Sequence, residues 1–220
     1  MTTSPETTRL AKSYLRLRQL LGILGLILPF ALILGLWLIF KVDQPGSISE
    51  YYYTGMGDVF VGIMCAVGLF LIAYPGYDWW DEWSANVAGT GAIGVALFPT
   101  TEAGQVATFI GTIHGISTAL FFVPVACISL FLFTKTDPKL GPMTRRKKMR
   151  NRVYIGSGIV IFVAIALMGG LGLLPDDLRA SLEAYRPVFW LETVAVLGFG
   201  TSWLVKGEAI LKDQVEGNQS

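Results

Sequence analysis

One uninterrupted apolar segment limits what this chain can fold into. Residues 20–40, "LLGILGLILPFALILGLWLIF", contain no charged side chain over a length of 21 residues. A helix of about 20 apolar residues crosses the hydrocarbon layer of a bilayer, whereas the apolar core of a secretory signal has only about 7–15. No small-x-small cleavage pattern follows the segment. The sequence therefore predicts a first transmembrane helix that is retained.

The composition of the whole chain also favours a lipid bilayer as its surroundings. Hydrophobic residues make up 53% of the 220 residues and charged residues 15%, whereas soluble domains have about 25% charged residues. A soluble core of this size cannot bury so much apolar surface. The net charge of +1 gives no bulk attraction to nucleic acid, so nucleic acid is not expected as a partner. The predicted fold class is all-α, a polytopic membrane protein.

Cysteine and histidine usage limits the chemistry that we expect. Cys65 and Cys127 each lie inside an apolar run, where a cysteine is typically a small packing residue. His114 is the single histidine of the chain. Because a catalytic zinc ion usually takes three protein ligands, the sequence predicts no metal site and no cofactor.

Six apolar segments are candidates for membrane spans, and they predict one bundle of six transmembrane helices without a soluble domain. The third segment is short and rich in glycine, so a re-entrant segment is the alternative there. In the fourth, Pro124 predicts a kink. The predicted spans are residues 20–40, 57–74, 85–99, 104–134, 153–174 and 187–205.

The distribution of basic residues decides whether the third span is kept. With six spans and a cytoplasmic N-terminus, 14 of the 17 Lys and Arg residues face the cytoplasm, as the positive-inside rule requires. Without the third span, the basic loop at 135–152 would face outward. We therefore predict a multi-pass protein of the cell membrane, with a single domain at 20–206 and cytoplasmic tails at 1–19 and 207–220.

The core of that loop, "RRKKMRNR", has two interpretations. Clustered basic residues beside a span bind anionic lipid head groups, and the candidates for such contacts are Arg145, Arg146, Lys147 and Lys148. The alternative, which we favour, is that these residues only determine the topology. The sequence leaves the oligomeric state open.

Small residues recur in the third and fourth spans. The segment "GTGAIG" at 89–94 has the letters of a dinucleotide-binding motif, but it lies inside a predicted span without a βαβ unit, so we reject that site. Small residues instead predict helices that pack closely in lipid. They are Ala88, Ala92 and Ala96 in the third span and Gly111 and Gly115 in the fourth.

Glu192 is the only charged residue in the segment "PVFWLETVAVLGFGTSW" at 187–203. A charge at the centre of a span costs at least about 2.5 kcal/mol, so such a residue usually faces the bundle interior and has a function. By helical rise, His114 lies at a comparable depth, and Asp58 can reach the same layer. We predict that these three side chains line one outward-opening polar pocket. The alternative is a buried structural pair that fixes helix register.

The loop before Asp58 offers polar groups to the same pocket. Its tyrosines are expected to form an interfacial rim, as aromatic residues do at the membrane surface. A pocket of this kind, among apolar helices, favours a lipid or a small amphiphile as ligand. The loop candidates are Ser47, Ser49, Tyr51, Tyr52 and Tyr53.

Several polar blocks follow one another in the chain: "SISEYYYTGMGD", "ANVAGTGAIGVALFPT", "IHGISTALFF" and "WLETVAVLGFGTSWLVKGE". In these blocks, and over residues 20–210, the chain resembles a family of bacterial integral membrane proteins that carries a domain-of-unknown-function label. The resemblance implies a multi-pass helical architecture and no established activity. The residues within the matching blocks are Ser47, Ser49, Tyr51, Tyr52, Tyr53, Asp58, His114, Glu192 and Lys206.

Two alternatives to a ligand-binding membrane protein stay open. A distant resemblance to intramembrane hydrolases of the alkaline ceramidase type implies a lipid hydrolase, with His114 as base or ligand and Glu192 or Asp58 as acid or ligand. Those enzymes hold zinc with three histidines, and this chain departs from that pattern. A proton-coupled carrier would use Glu192 as the titrating group, although no inverted repeat relates spans 1–3 to spans 4–6. No catalytic residue is assigned, and a non-enzymatic role is favoured.

Overall fold

The structure of the chain is a computed structural model that describes residues 5–76, 78–102, 105–136 and 143–212. Every regular element in these ranges is a helix, which confirms the all-α prediction. Parts of four predicted features lie outside the described residues: 1–4 and 213–220 of the two tails, 104 at the start of the fourth span, and 137–142 of the basic loop.

Seven α-helices occur in the described ranges. They are α1 Pro5–Gly35, α2 Gly57–Ile72, α3 Trp79–Leu97, α4 Phe109–Cys127, α5 Arg145–Gly172, α6 Asp176–Glu183 and α7 Pro187–Lys206. Two π-helical turns extend α1 through Leu36–Phe40 and α4 through Ile128–Leu132. A 3-10 turn at Ser49–Tyr53 lies in the loop between α1 and α2.

Four helical segments of the described chain are long and apolar enough to cross a membrane. They are Lys12–Phe40, Phe109–Leu132, Arg145–Gly172 and Pro187–Lys206. Helix α2 is apolar but has only 16 residues, about 24 Å at the helical rise per residue. Helix α3 is less apolar, because it begins with "WWDEW" and contains many small residues. The structure is therefore compatible with a polytopic membrane protein, and four of its helical segments could serve as membrane spans.

Three helices begin at a capping side chain rather than at the edge of an apolar run. Asp78, Thr108 and Thr144 each accept a backbone N–H bond of 2.9–3.1 Å and so fix the first residues of α3, α4 and α5. These helices start at residues 79, 109 and 145, and not at 85, 104 and 153. The first turns of α5 thus hold the basic residues that hydropathy assigns to a loop, since Lys and Arg are good helix formers.

The N-terminal tail differs from the prediction in the same way. Helix α1 begins at Pro5, so the described part of the predicted tail is helical. Proline is favoured in the first turn of a helix, and the following polar residues include several good helix formers. Hydropathy locates the apolar part of a helix, and the helix itself extends beyond it.

Six of the helices form a closed ring. Its order is α1, α2, α3, α4, α5, α7 and back to α1. Packing is extensive within the group α2, α3 and α4 and within the group α5, α7 and α1, and it is sparser where α1 meets α2 and where α4 meets α5. The bundle therefore consists of two tightly packed groups of three helices that are joined along two weaker seams.

Glycine allows the backbones within each group to come close. A Cβ atom at Gly200 of α7 would lie 2.9 Å from the carbonyl oxygen of Gly22 in α1, and one at Gly68 of α2 would lie 2.7 Å from the carbonyl oxygen of Gly89 in α3. A Cβ at Gly91 of α3 would overlap the backbone of α4. Side chains of ordinary size cannot occupy such positions.

The prediction of close packing by small residues is confirmed for the third span. Ala88, Ala92 and Ala96 are all buried in the core, with at most 1% of their surface exposed. They lie on α3 between α2 and α4, where both neighbours contact this helix extensively.

Contacts at the two ends of the bundle show which loops lie together. At one end, the Tyr53 hydroxyl donates to the Thr100 carbonyl at 2.6 Å, which joins the α1–α2 and α3–α4 loops. At the other end, the Lys135 ammonium lies 2.6 Å from the Asp78 carboxylate, and this interaction holds the pKa of Asp78 below its ordinary value. The six ring helices therefore run alternately in opposite directions between two sets of loops.

Replacing Gly200 by alanine should loosen the contact between α1 and α7. The new Cβ would lie 2.8 Å from the Leu26 backbone nitrogen and 2.9 Å from the Gly22 oxygen, and overpacking of this kind costs about 1–3 kcal/mol. We expect a lower free energy of unfolding for Gly200→Ala in detergent, measured by circular dichroism. Gly156→Ala is the control because no atom lies within 4 Å of its added Cβ. Equal stability of the two variants would contradict the prediction.

Candidate functional site

Glu192 holds the loop between α1 and α2 against helix α7. Its carboxyl oxygens accept three hydrogen bonds: from the Ile48 amide at 2.5 Å, from the Ser49 amide at 3.3 Å and from the Ser49 hydroxyl at 3.0 Å. The side chain has only 8% of its surface exposed. A buried carboxyl group is tolerated when its oxygens are satisfied in this way.

The loop that Glu192 holds has further internal contacts. The Ser47 hydroxyl accepts from the Glu50 amide at 3.0 Å, and the Gly46 carbonyl accepts from the Phe189 amide at 3.0 Å. Tyr51 is fully buried, where its ring lies 6.5 Å from that of Phe189. Residues 47–49 and Tyr51 of the loop therefore belong to the bundle interior, whereas residues 41–43 are exposed.

Tyr51 differs from the interfacial rim residue that the sequence predicts. Its hydroxyl donates to the side-chain oxygen of Gln44. Burial raises the pKa of Tyr51 to about 12, and the positive charge of Arg186 opposes this rise. Tyr51 is a core residue because the 3-10 turn directs it inward.

The other two tyrosines do not form one rim with it. The rings of Tyr52 and Tyr53 pack edge to face with centroids 5.3 Å apart. Tyr53 is exposed and lines a separate cavity of about 350 Å³ beside the α3–α4 loop. In a 3-10 turn consecutive side chains project in different directions, so the prediction of a common rim is wrong.

His114 does not pair with Glu192. Its Nδ1 lies 2.7 Å from the carbonyl oxygen of Phe98, and since a carbonyl can only accept, Nδ1 carries the proton in this contact. The imidazole is 5% exposed. This hydrogen bond joins α4 to the end of α3.

A cavity of about 720 Å³ lies between α4, α5 and the start of α7. Glu192, His114 and Ser47 all line it, so the structure brings together two of the three ionisable groups that the sequence places in one pocket. Much of the remaining lining is apolar or glycine. Ligand-binding cavities typically have this volume range and this mixture of apolar walls with few polar groups.

The cavity exists because α4 and α5 diverge. At the middle of α5, a Cβ added at Gly158 would lie 3.1 Å from the Ala126 carbonyl oxygen of α4. Towards the end of the bundle that is opposite the basic residues, Gly115 of α4 and Gly169 of α5 have no atom within 4 Å of such a Cβ, and both line the cavity. The prediction that Gly115 packs closely against another helix is therefore wrong.

Two further candidate residues, Asp58 and Ser49, do not line this cavity. Asp58 is exposed on α2. Ser49 faces a small internal space of about 20 Å³ on the other side of Glu192. Neither residue lines the large cavity. Ser49 contributes to that cavity only indirectly, by its hydrogen bonds to Glu192.

The four basic candidates for anionic-lipid contacts lie at the opposite end of the bundle. Arg146 donates to the Lys212 carbonyl at 2.6 Å, and Lys147 donates to the Lys135 carbonyl at 3.1 Å. Arg145 and Lys148 are exposed on the first turns of α5. Two of the four therefore tie neighbouring segments together, and two project from the helix.

Residue-by-residue reasoning missed the basic side chains of the cavity. Arg179 on α6 and Arg186 at the start of α7 both line it, together with Glu50 and Glu183. The sequence did contain a signal for these two arginines. Both belong to the three basic residues that the predicted topology places on the outer side of the membrane. Basic residues that oppose the positive-inside rule are candidates for a specific role.

Within the described ranges, no group of three His, Cys, Asp or Glu side chains lies close enough to hold a metal ion. No family model, curated protein or solved structure matches this chain.

Replacing Glu192 by leucine should release the α1–α2 loop. The Ile48 and Ser49 amides would lose their acceptor, and an unsatisfied buried donor costs about 1–3 kcal/mol. We expect lower thermal stability and faster hydrogen exchange at these two amides. Glu192→Gln keeps one oxygen acceptor and should show a smaller loss. Unchanged exchange in Glu192→Leu would show that the carboxyl does not hold the loop.

Proposed function

We propose that this chain is an integral membrane protein that binds a lipid or a small amphiphile in the cavity between α4, α5 and α7. The observation that carries the proposal is the cavity itself, which combines polar groups such as Ser47, His114 and Glu192 with an apolar wall from α5. Amphiphiles have this division between a polar head and an apolar tail. The cell membrane and its lipids are the setting and the partners that the proposal requires.

The proposed topology has six spans, with both termini in the cytoplasm. The alternating directions of the ring helices support it, as does the distribution of Lys and Arg between the two sets of loops. Helix α2 is short for a membrane span and α3 is less apolar than the four long apolar segments, but each packs between two neighbours in the ring. In this arrangement the cavity opens towards the outer leaflet.

The geometry favours binding over catalysis. Glu192 is engaged by the Ile48 and Ser49 amides, and His114 by the Phe98 carbonyl. General acid–base work needs a group within hydrogen-bond reach of the proton that it transfers, and these two side chains are instead oriented by the backbone. They serve as fixed polar anchors at one side of the cavity.

The apolar walls suit an acyl chain. Ile165, Met168 and Leu171 of α5 line the cavity opposite Ala119 of α4. Outside the cavity, Leu167 of α5 is 53% exposed and faces away from the bundle, where lipid would cover it. Because α4 and α5 pack sparsely against each other, we expect an acyl tail to reach the cavity from the membrane through the α4–α5 seam.

Filling the cavity should displace a bound lipid. Gly169 lines the cavity and has no neighbour within 4 Å of an added Cβ, whereas the next residue, Gly170, is equally open but does not line it. We expect native mass spectrometry of the detergent-solubilised protein to show a lipid-sized adduct. Gly169→Leu should reduce its occupancy about tenfold or more, and Gly170→Leu should not, because only the first leucine takes up ligand volume.

Both substitutions replace glycine by a better helix former, so loss of fold is not expected in either. An adduct of equal occupancy in the two variants would place the lipid outside the cavity. A chain that carries no adduct and takes up none from added lipid would contradict the proposed function.

A further inference from the structure

Arg186 has a backbone conformation that an arginine rarely adopts. Its φ of 49° and ψ of 52° lie in the left-handed region, which is unfavourable for a residue with a Cβ atom. Pro187 follows it, and a residue before proline prefers extended backbone. Conformations of this kind persist where the surrounding structure imposes them, and they concentrate at binding and catalytic sites.

The side chain of Arg186 lines the cavity at the start of α7. No hydrogen bond or ion pair of its guanidinium occurs among the residues that the structure describes. Arg179, the other basic residue of the lining, reaches the same cavity from α6. Two arginines, one on α6 and one directly before α7, thus line the same partly apolar cavity.

The carboxylates of the lining form no ion pair with Arg186 in the described ranges. Glu192 is engaged by the Ile48 and Ser49 groups, and Glu50 accepts from the Gly46 amide at 2.8 Å. Neither lies within ion-pair distance of Arg186 in the described structure, and nor does Glu183. A guanidinium presents a planar fork of donors that matches a phosphate group in two parallel hydrogen bonds.

We propose that the cavity takes a phospholipid, with its phosphate bound by Arg186 and assisted by Arg179 and its acyl chain lying along α5. This inference rests on the proposed function and specifies the head group of its ligand. The polar anchors at Ser47 and His114 then contact the ester region between head and tail. The left-handed backbone thus occurs at the residue that presents the binding group to the cavity.

The test is a lipid titration of the full-length protein in detergent, followed by native mass spectrometry. The probes are dioleoyl phosphatidylglycerol, dioleoylglycerol, which has the same tails without phosphate, and inorganic phosphate. Arg186→Gly should weaken the affinity for phosphatidylglycerol about tenfold or more and leave that for dioleoylglycerol unchanged. Arg186→Lys keeps the charge without the planar fork and should bind with an intermediate affinity.

The chain offers a matched control at Lys41. This residue is also basic, also has a positive φ, of 54°, and lies on the same side of the bundle, but it does not line the cavity. Lys41→Gly should bind all probes as the unmodified protein does. Glycine adopts the left-handed region without strain, so Arg186→Gly and Lys41→Gly should both retain thermal stability, and lost binding is then not a loss of fold.

Each outcome separates the inference from the function on which it rests. If Gly169→Leu abolishes phosphatidylglycerol binding and Arg186→Gly does not, the cavity is a lipid site and the phosphate assignment is wrong. An equal loss of phosphatidylglycerol affinity in Lys41→Gly would show that only general surface charge matters, and it would also overturn the phosphate assignment. Saturation by inorganic phosphate alone, with competition against the lipid, would overturn the lipid assignment in favour of a free anion. Absence of any lipid binding would contradict the proposed function itself.

Discussion

The hydrogen bonds between Glu192 and the loop at Ile48 and Ser49 are the interaction on which the rest of the site depends. A carboxyl group inside an apolar helix is costly, and here its oxygens are satisfied by two backbone amides and a hydroxyl. This contact draws a segment between the first two helices into the bundle beside the last one. It thereby forms one side of the cavity and brings Ser47 and Glu50 to its lining.

The cavity itself follows from unequal packing around the ring. Glycines hold α1 against α7, and α3 against both α2 and α4, at backbone distances that leave no room for a side chain. The same residue type has the opposite effect where α4 and α5 diverge, because Gly115 and Gly169 meet no neighbour and leave open space. A glycine in these helices can therefore allow a close approach or leave open space, and the position of the neighbouring helix decides which of the two occurs.

Several features of the fold could be predicted because they depend on local composition. The apolar run at 20–40 predicts a helix that is long and apolar enough to cross a membrane, and Ala88, Ala92 and Ala96 predict the packed face of α3. The helix starts at 79, 109 and 145 were missed because a single capping oxygen outweighs the local hydropathy. The pairing of Glu192 and His114 was an alternative that failed, since Glu192 is bound by backbone amides of the α1–α2 loop and His114 by the Phe98 carbonyl at the end of α3.

The sequence by itself determined that the chain is helical and suited to lipid, and that Glu192 must be satisfied by something buried. Those conclusions follow from transfer free energies, which act on each residue largely regardless of its neighbours. Only the tertiary structure decided which groups satisfy Glu192, that Asp58 lies apart from it, and that Arg186 faces the same cavity. Those outcomes depend on the direction of each side chain and on the separation of α4 and α5, which arise from contacts between residues far apart in the chain.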